Sequence, residues 1–308
     1  MDSRMDEYLQ HLTTENPNPN SADIDLCSTE EILRIINQED KQVPLAVEKA
    51  IPEITVAVDE IAKRLKKGGH LFYFGAGTSG RLGVLDASEC PPTYGVNPEL
   101  VQGYIAGGDS ALRIPSEGCE DDEEQGRREA DEHQIGAEDV VVGITASGRA
   151  PYVVGVVDRA KELGAYTVGV VTNANSILSK HVDVCIAAQV GNEVVTGSTR
   201  MKSGTAQKLI LNMLSTATMI KLGKVYSNQM VDLRATNEKL RERAVRIFCT
   251  VTETDEETAH KYLDLSGKDT KLAILMYCTG LKKDEASALI EKNDGFLRGA
   301  LEEGRKEK

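Results

Sequence analysis

Between residues 70 and 188 the chain alternates short apolar runs with stretches of helical period. The runs near 70–75, 100–106, 139–145, 166–172 and 184–188 are rich in Val, Ile, Phe and Tyr. They are too continuously apolar for strands with one wet face, so they predict a parallel sheet covered by helices on both sides. The fold class is therefore α/β, a doubly wound parallel sheet. Upstream, Asn16-Pro-Asn-Pro-Asn20 reads as a flexible opening loop, and Ser28 with Glu31 as a capping box for a helix to about Asp40. Pro44 then opens a long amphipathic helix to about Lys66, with Val47, Ile51, Ile54, Val58, Ile61 and Leu65 on its apolar face. A helix is also expected over 152–163. Residues 202–222 form a helical pattern apolar on most of its circumference, which suits either a core position or a subunit interface. From about Thr252 the strands stop, and helical patterns over 256–265, 270–279 and 283–291 predict a small three-helix module. The expected organisation is an N-terminal helical segment (1–42), the α/β domain (43–240) and the C-terminal module (241–308).

The chemistry concentrates where strands give way to helices. After Leu71 to Phe74, Gly75, Gly77 and Gly80 enclose Thr78 and Ser79, and a helical pattern follows through Leu82, Leu85 and Asp86. Such a turn leaves backbone N–H groups unpaired at the positive end of a helix dipole, with two hydroxyls beside them, and so suits a phosphate. Glu89 follows near the helix end, where Pro91 and Pro92 are expected to stop it. The glycine spacing also fits a dinucleotide fingerprint, but the acidic residue that reading needs is missing: Asp86 and Glu89 come too early, and Glu99 precedes the next strand. A second loop, Thr145-Ala-Ser147-Gly148-Arg149-Ala-Pro151, repeats the Ser-Gly-Arg pattern after the next apolar strand. Two such loops at carboxyl ends of strands predict one small phosphorylated ligand held from two sides. Arg149 alone also reads as a solvated first-turn side chain. A third polar loop, Thr196-Gly-Ser-Thr-Arg-Met-Lys202, precedes the long helix; Ser198 and Thr199 suit either ligand contact or an N-cap.

Charge and cysteine usage narrow the partners. Lys and Arg number 36 against 49 Asp and Glu, a net charge of −13. That balance disfavours nucleic acid and anionic membrane, so an anion must be captured by a local cradle rather than by the overall field. Six scattered cysteines without a C-x-x-C pair, and five histidines without ligand spacing, give no legible metal site and call for no cofactor. Cys90 beside Glu89 lacks a partner motif for a nucleophile and reads as a buried thiol. No run of 18 apolar residues and no apolar leader is present, so a cytoplasmic protein with reduced thiols is expected.

Four stretches, Gly75-Ala-Gly-Thr-Ser-Gly-Arg-Leu-Gly83, Asp86-Ala-Ser-Glu-Cys-Pro-Pro-Thr-Tyr-Gly95, Ile144-Thr-Ala-Ser-Gly-Arg-Ala-Pro-Tyr152 and Val194 through Lys208, closely resemble the N-acetylmuramic acid 6-phosphate etherase family. These are bacterial enzymes built on a sugar isomerase (SIS) domain, with the glucokinase regulatory protein as a relative. The resemblance runs from about Cys27 to Lys239. It implies a lyase that releases D-lactate from a 6-phosphorylated amino sugar, leaving N-acetylglucosamine 6-phosphate, with the active unit a homodimer. It also implies Glu89 as proton donor and Glu120 as a second acid. From spacing alone Glu117 and Glu120 are not separable, because acidic residues crowd 117–124 and a charge run is usually a solvated face. The three polar loops give the expected substrate contacts as Gly77, Thr78, Ser79, Gly80, Ser147, Gly148, Arg149, Ser198, Thr199 and Lys202. A non-catalytic sugar-phosphate sensor and an aldose-ketose isomerase are the alternative expectations on this fold. A single SIS unit followed by a short tail disfavours the sensor.

Overall fold

The computed structural model describes residues 15–116, 118–233 and 238–306; Glu117 lies outside them. The chain divides into two compact units, one holding residues 15–88 and Glu99–Ser215, the other Glu89–Pro98 and the chain from Thr216 onward.

The first unit carries five parallel strands: β1 (Leu71–Gly75), β2 (Val101–Ile105), β3 (Val140–Ile144), β4 (Tyr166–Val171) and β5 (Val184–Ala187). Their order is β2-β1-β3-β4-β5, so the chain reverses direction across the sheet at β1 and β3. Leu71 pairs with both Val101 and Val140, which aligns the carboxyl ends of β1 and β3 side by side. Every residue of β1 and β3 is buried, as expected where β-branched and aromatic side chains pack under helices on both faces. The helices of this unit are α1 (Thr29–Asp40), α2 (Gln42–Glu48), α3 (Ile51–Leu65), α5 (Glu123–Glu132) and α6 (Pro151–Glu162), while α4 (Gly77–Tyr94) and α7 (Lys202–Lys221) begin in it and end in the second.

Three expectations are corrected here. The long helix from Pro44 is two helices, because Pro52 lacks the N–H that would bond the Glu48 carbonyl, and the chain restarts at Ile51. Pro91 and Pro92 do not stop α4. The helix runs on to Tyr94 and ends at Gly95, at φ +66°, whose N–H donates to the Pro91 carbonyl at 3.0 Å. The Asn-Pro loop is pinned rather than flexible. Asn18 is buried and donates to Glu39 (2.9 Å) and to the Asn192 carbonyl (3.0 Å), while Ser21 donates to the Val194 carbonyl (2.7 Å). The Ser28–Glu31 capping box is present as expected.

In the second unit, the three helices that periodicity predicts are present as α9 (Glu256–Ser266), α10 (Thr270–Thr279) and α11 (Lys283–Lys292), and two more, α8 (Glu238–Thr252) and α12 (Leu297–Lys306), flank them. The last is camouflaged by two glycines and a charged surface, yet Leu297, Ala300, Leu301 and Gly304 form a buried stripe at helical spacing. Phe248, Ile274 and Leu275 are the centre of this unit's own core. Lys271, 5% exposed, ties it together by donating to the Gly223 and Gly295 carbonyls (2.9 Å each) and to Asp232 (2.8 Å).

Candidate functional site

The sheet reverses at β1 and β3, and a cavity opens beyond their carboxyl ends, where ligands bind in sheets of this type. Its volume is about 300 Å³, and it is lined by Gly77, Thr78 and Ser79 from the first loop, Thr145 and Ser147 from the second, and Gly197 and Thr199 from the third. Glu15 and Glu120 complete its wall. The two Ser-Gly-Arg loops are thus brought together, with the third loop opposite them.

Backbone geometry explains the glycines. Gly77 opens α4 at φ +53°, a conformation costly for residues with a side chain. A Cβ on Gly80 would lie 2.6 Å from the Gly75 carbonyl oxygen, so the turn closes only without one. Gly148 stands at φ +71°, and a Cβ there would sit 2.2 Å from that of Ser176. The hydroxyls are oriented from behind. Ser79 Oγ donates to Gln207 Oε1 at 3.0 Å, and Ser147 Oγ accepts from the Arg149 N–H at 3.3 Å. Gln207 is buried and was not legible in sequence, since no local pattern distinguishes it on an apolar helix.

Glu120 keeps a solvent-exposed edge, yet its carboxyl is pushed above the ordinary carboxylate range, first by desolvation in the wall and then by Asp121 beside it. Glu89 is exposed and does not line the cavity. It belongs to the second unit. Cys90 is buried, as expected.

The remaining expected contacts fall elsewhere. Lys202 faces the core: its Nζ meets Glu39 Oε2 at 2.6 Å and its side chain is 3% exposed. Arg149 and Ser198 are half-buried and do not line the cavity. Neither Ser198 nor Thr199 supplies the side-chain cap of α7. Glu193, fully buried, does so from nine residues upstream, accepting from the N–H groups of Lys202 and Ser203 at 2.9 Å each. Glu15, adjoining the Asn-Pro loop, carried no sequence signal for a place in the wall. Among the described residues, no group of His, Cys, Asp and Glu is arranged to hold a metal ion, and no helix is long and apolar enough to cross a membrane.

A doubly wound sheet with paired hydroxyl loops at its reversal point defines a sugar-phosphate-binding α/β domain of the SIS class. Comparison with known proteins agrees: the glucokinase regulatory protein N-terminal SIS domain matches residues 53–161, and the SIS domain matches residues 128–217. N-acetylmuramic acid 6-phosphate etherase of Caldanaerobacter subterraneus subsp. tengcongensis is 55% identical over 95% of this chain and 96% of its own length. The etherase of Actinobacillus succinogenes is 53% identical over 96% of this chain and 97% of its own length. That of Clostridium beijerinckii is 55% identical over the same shares. Among solved structures, a phosphoheptose isomerase from Francisella tularensis is 15% identical, with a TM-score of 0.49 over 63% of this chain and 100% of that one. The chain belongs to the N-acetylmuramic acid 6-phosphate etherase family.

Proposed function

We propose that this chain is a carbon–oxygen lyase that cleaves the D-lactyl ether of N-acetylmuramic acid 6-phosphate, giving N-acetylglucosamine 6-phosphate and D-lactate. The observation that carries this reading is the two-loop anion cavity with a carboxyl of raised pKa in its wall, in a chain of this family. Backbone amides at the start of α4 and the hydroxyls of Thr78, Ser79 and Ser147 hold the 6-phosphate.

An alkoxide is a poor leaving group, so direct displacement at the ether is slow at neutral pH. Ring opening exposes an aldehyde at carbon 1, which acidifies the proton on carbon 2. A base removes that proton, the carbon 3–oxygen bond breaks, and an acid delivers a proton to the departing lactate oxygen. Water then adds at carbon 3 as a proton returns to carbon 2, so atoms balance with no cofactor. Glu89 serves as proton donor and Glu120 as the second carboxyl, each such transfer contributing about 10² to 10⁴ in rate.

The working unit is a homodimer. The exposed Leu85, Met213 and Ile220, 43%, 38% and 47% accessible, are apolar surface that a second copy would cover. Six free thiols and a phosphorylated sugar substrate suit the cytoplasm.

Turnover in ¹⁸O-labelled water tests the chemistry. Label is expected on the carbon 3 hydroxyl of the sugar and none on lactate, with solvent deuterium entering at carbon 2. Label in lactate would refute elimination, and tight binding without lactate release would favour a sensor. Glu89→Gln should bind N-acetylglucosamine 6-phosphate and lose most turnover.

A further inference from the structure

A second, smaller cavity of about 100 Å³ adjoins the phosphate cavity and shares Ala76, Gly77 and Glu120 with it. Its other walls are chemically divided. Ala106, Ala111 and Pro115 present methyl and methylene groups, Ser116 and Cys119 a hydroxyl and a thiol bonded to each other at 2.9 Å, and Arg81 a guanidinium. Arg81 is held in place rather than free to swing: its Nε donates to the Leu112 carbonyl at 2.9 Å and its Nη2 to the Ala111 carbonyl at 2.6 Å. Those two bonds leave Nη1 and one Nη2 hydrogen without a partner among the described residues, and only an acceptor can satisfy them.

A half-buried cation held beside the methyl and methylene groups of a small chamber fits a group that is both methylated and anionic. Resting on the activity proposed above, we propose that this chamber receives the D-lactyl arm of the substrate. The lactyl methyl lies against the alanines and Pro115, and its carboxylate pairs with Arg81. Glu120 lines both cavities, so this placement sets the carbon 3–oxygen bond beside a carboxyl while the phosphate occupies the larger space. Arg81 then distinguishes substrate from product, since the product carries the same phosphate and acetamide but no lactyl carboxylate.

The test compares ligands on the unaltered enzyme, Arg81→Gln and Arg81→Lys. Inhibition by N-acetylglucosamine 6-phosphate reads the phosphate cavity alone; the Michaelis constants of N-acetylmuramic acid 6-phosphate and of its lactyl carboxamide read the arm. Arg81→Gln should raise the Michaelis constant for the acid about 10- to 100-fold, the range of a lost charge-assisted hydrogen bond. It should leave inhibition by the product within about twofold and abolish the unaltered enzyme's preference for acid over carboxamide, and Arg81→Lys should restore part of that preference. Equal weakening of product and substrate would mean that Arg81 only braces residues 111–112, and would overturn the assignment. So would an unchanged preference for the acid, or an Arg81 effect that depended on the acetyl group instead. Binding with the expected Arg81 dependence but without lactate release would remove the proposed activity and leave the subsite standing.

Discussion

Lys202 separates a reading of sequence from a reading of structure. A cation at a helix start beside hydroxyls reads as a substrate contact, whereas the fold pairs it with Glu39 in the core at 2.6 Å, with the two side chains 3% and 10% exposed. Replacing Lys202 with Met leaves Glu39 a buried carboxylate that keeps its bonds from Asn18 (2.9 Å) and Asn20 (2.8 Å). Breaking one side of a buried pair costs about 3–5 kcal/mol, and the two retained bonds place this case near about 3. For a folding unit of 150–250 residues each kcal/mol moves the midpoint by about 2–4 °C, so the thermal transition should fall by roughly 6–12 °C. The double variant Glu39→Gln, Lys202→Met should recover much of that loss, because no charge is left buried. Scanning calorimetry gives the midpoints, and inhibition by N-acetylglucosamine 6-phosphate, measured below them, gives the site. Inhibition should change little. A normal midpoint with strongly weakened inhibition would show that the ammonium reaches the ligand, and the structural reasoning would fail.

The same pair sets a pH dependence. Burial alone would raise the Glu39 carboxyl, but hydrogen bonds from Lys202, Asn20 and Asn18 outweigh it and hold it below the ordinary range. A depressed carboxylate contributes stability that is present above its unfolded pKa and lost as pH falls through the lower folded value. Denaturation midpoints of the unaltered protein should therefore drop more steeply on acidification below the ordinary glutamate pKa than those of the Glu39→Gln, Lys202→Met variant; parallel curves would exclude the effect. Gly148→Ala should displace Ser147 and cost on the order of 1–3 kcal/mol from the positive φ alone, visible as a lower midpoint and weaker inhibition by the product. Ser147→Ala should weaken that inhibition with an unchanged midpoint, and unaltered inhibition would move the phosphate elsewhere. Lys271→Met should lower the protection of α8 to α12 in hydrogen exchange, since it strands two carbonyls and Asp232; uniform protection would refute its role as a tie.

What the sequence made legible was local. Val140, Val141 and Val142 announce a buried strand by composition, Ser28 and Glu31 a helix start by spacing, and the Gly75 to Gly80 run a turn by backbone need. Each depends on a few neighbouring residues. What stayed hidden depends on distant ones. Glu193 caps α7 from nine residues away, Asn18 is fixed by Glu39 and Asn192, and Gln207 meets Ser79 across 128 positions. Pro91 and Pro92 misled because a proline removes its own N–H but not its carbonyl, and the Gly95 N–H still closes the last turn on the Pro91 carbonyl at 3.0 Å. Lys202 looked like a ligand because a cation at a helix start beside hydroxyls fits a phosphate. Only burial shows which way such a side chain turns.

The cavity wall carries one more consequence of its composition. In a chain of net charge −13, the described residues that line the larger cavity include two carboxylates and no lysine or arginine. A phosphate held there is stabilised by backbone amides and hydroxyls, whose partial charges stay in place when the ligand is absent. Its dianion acts on whatever titrates nearby. Glu120, already raised by desolvation and by Asp121, is raised further by a bound phosphate, because a second negative charge disfavours its own. A lysine in the wall would neutralise the phosphate and pull Glu120 back toward an ordinary carboxylate. Under the proposed reaction, substrate binding itself then holds this carboxyl nearer neutrality, where one group would exchange protons in both directions across elimination and hydration.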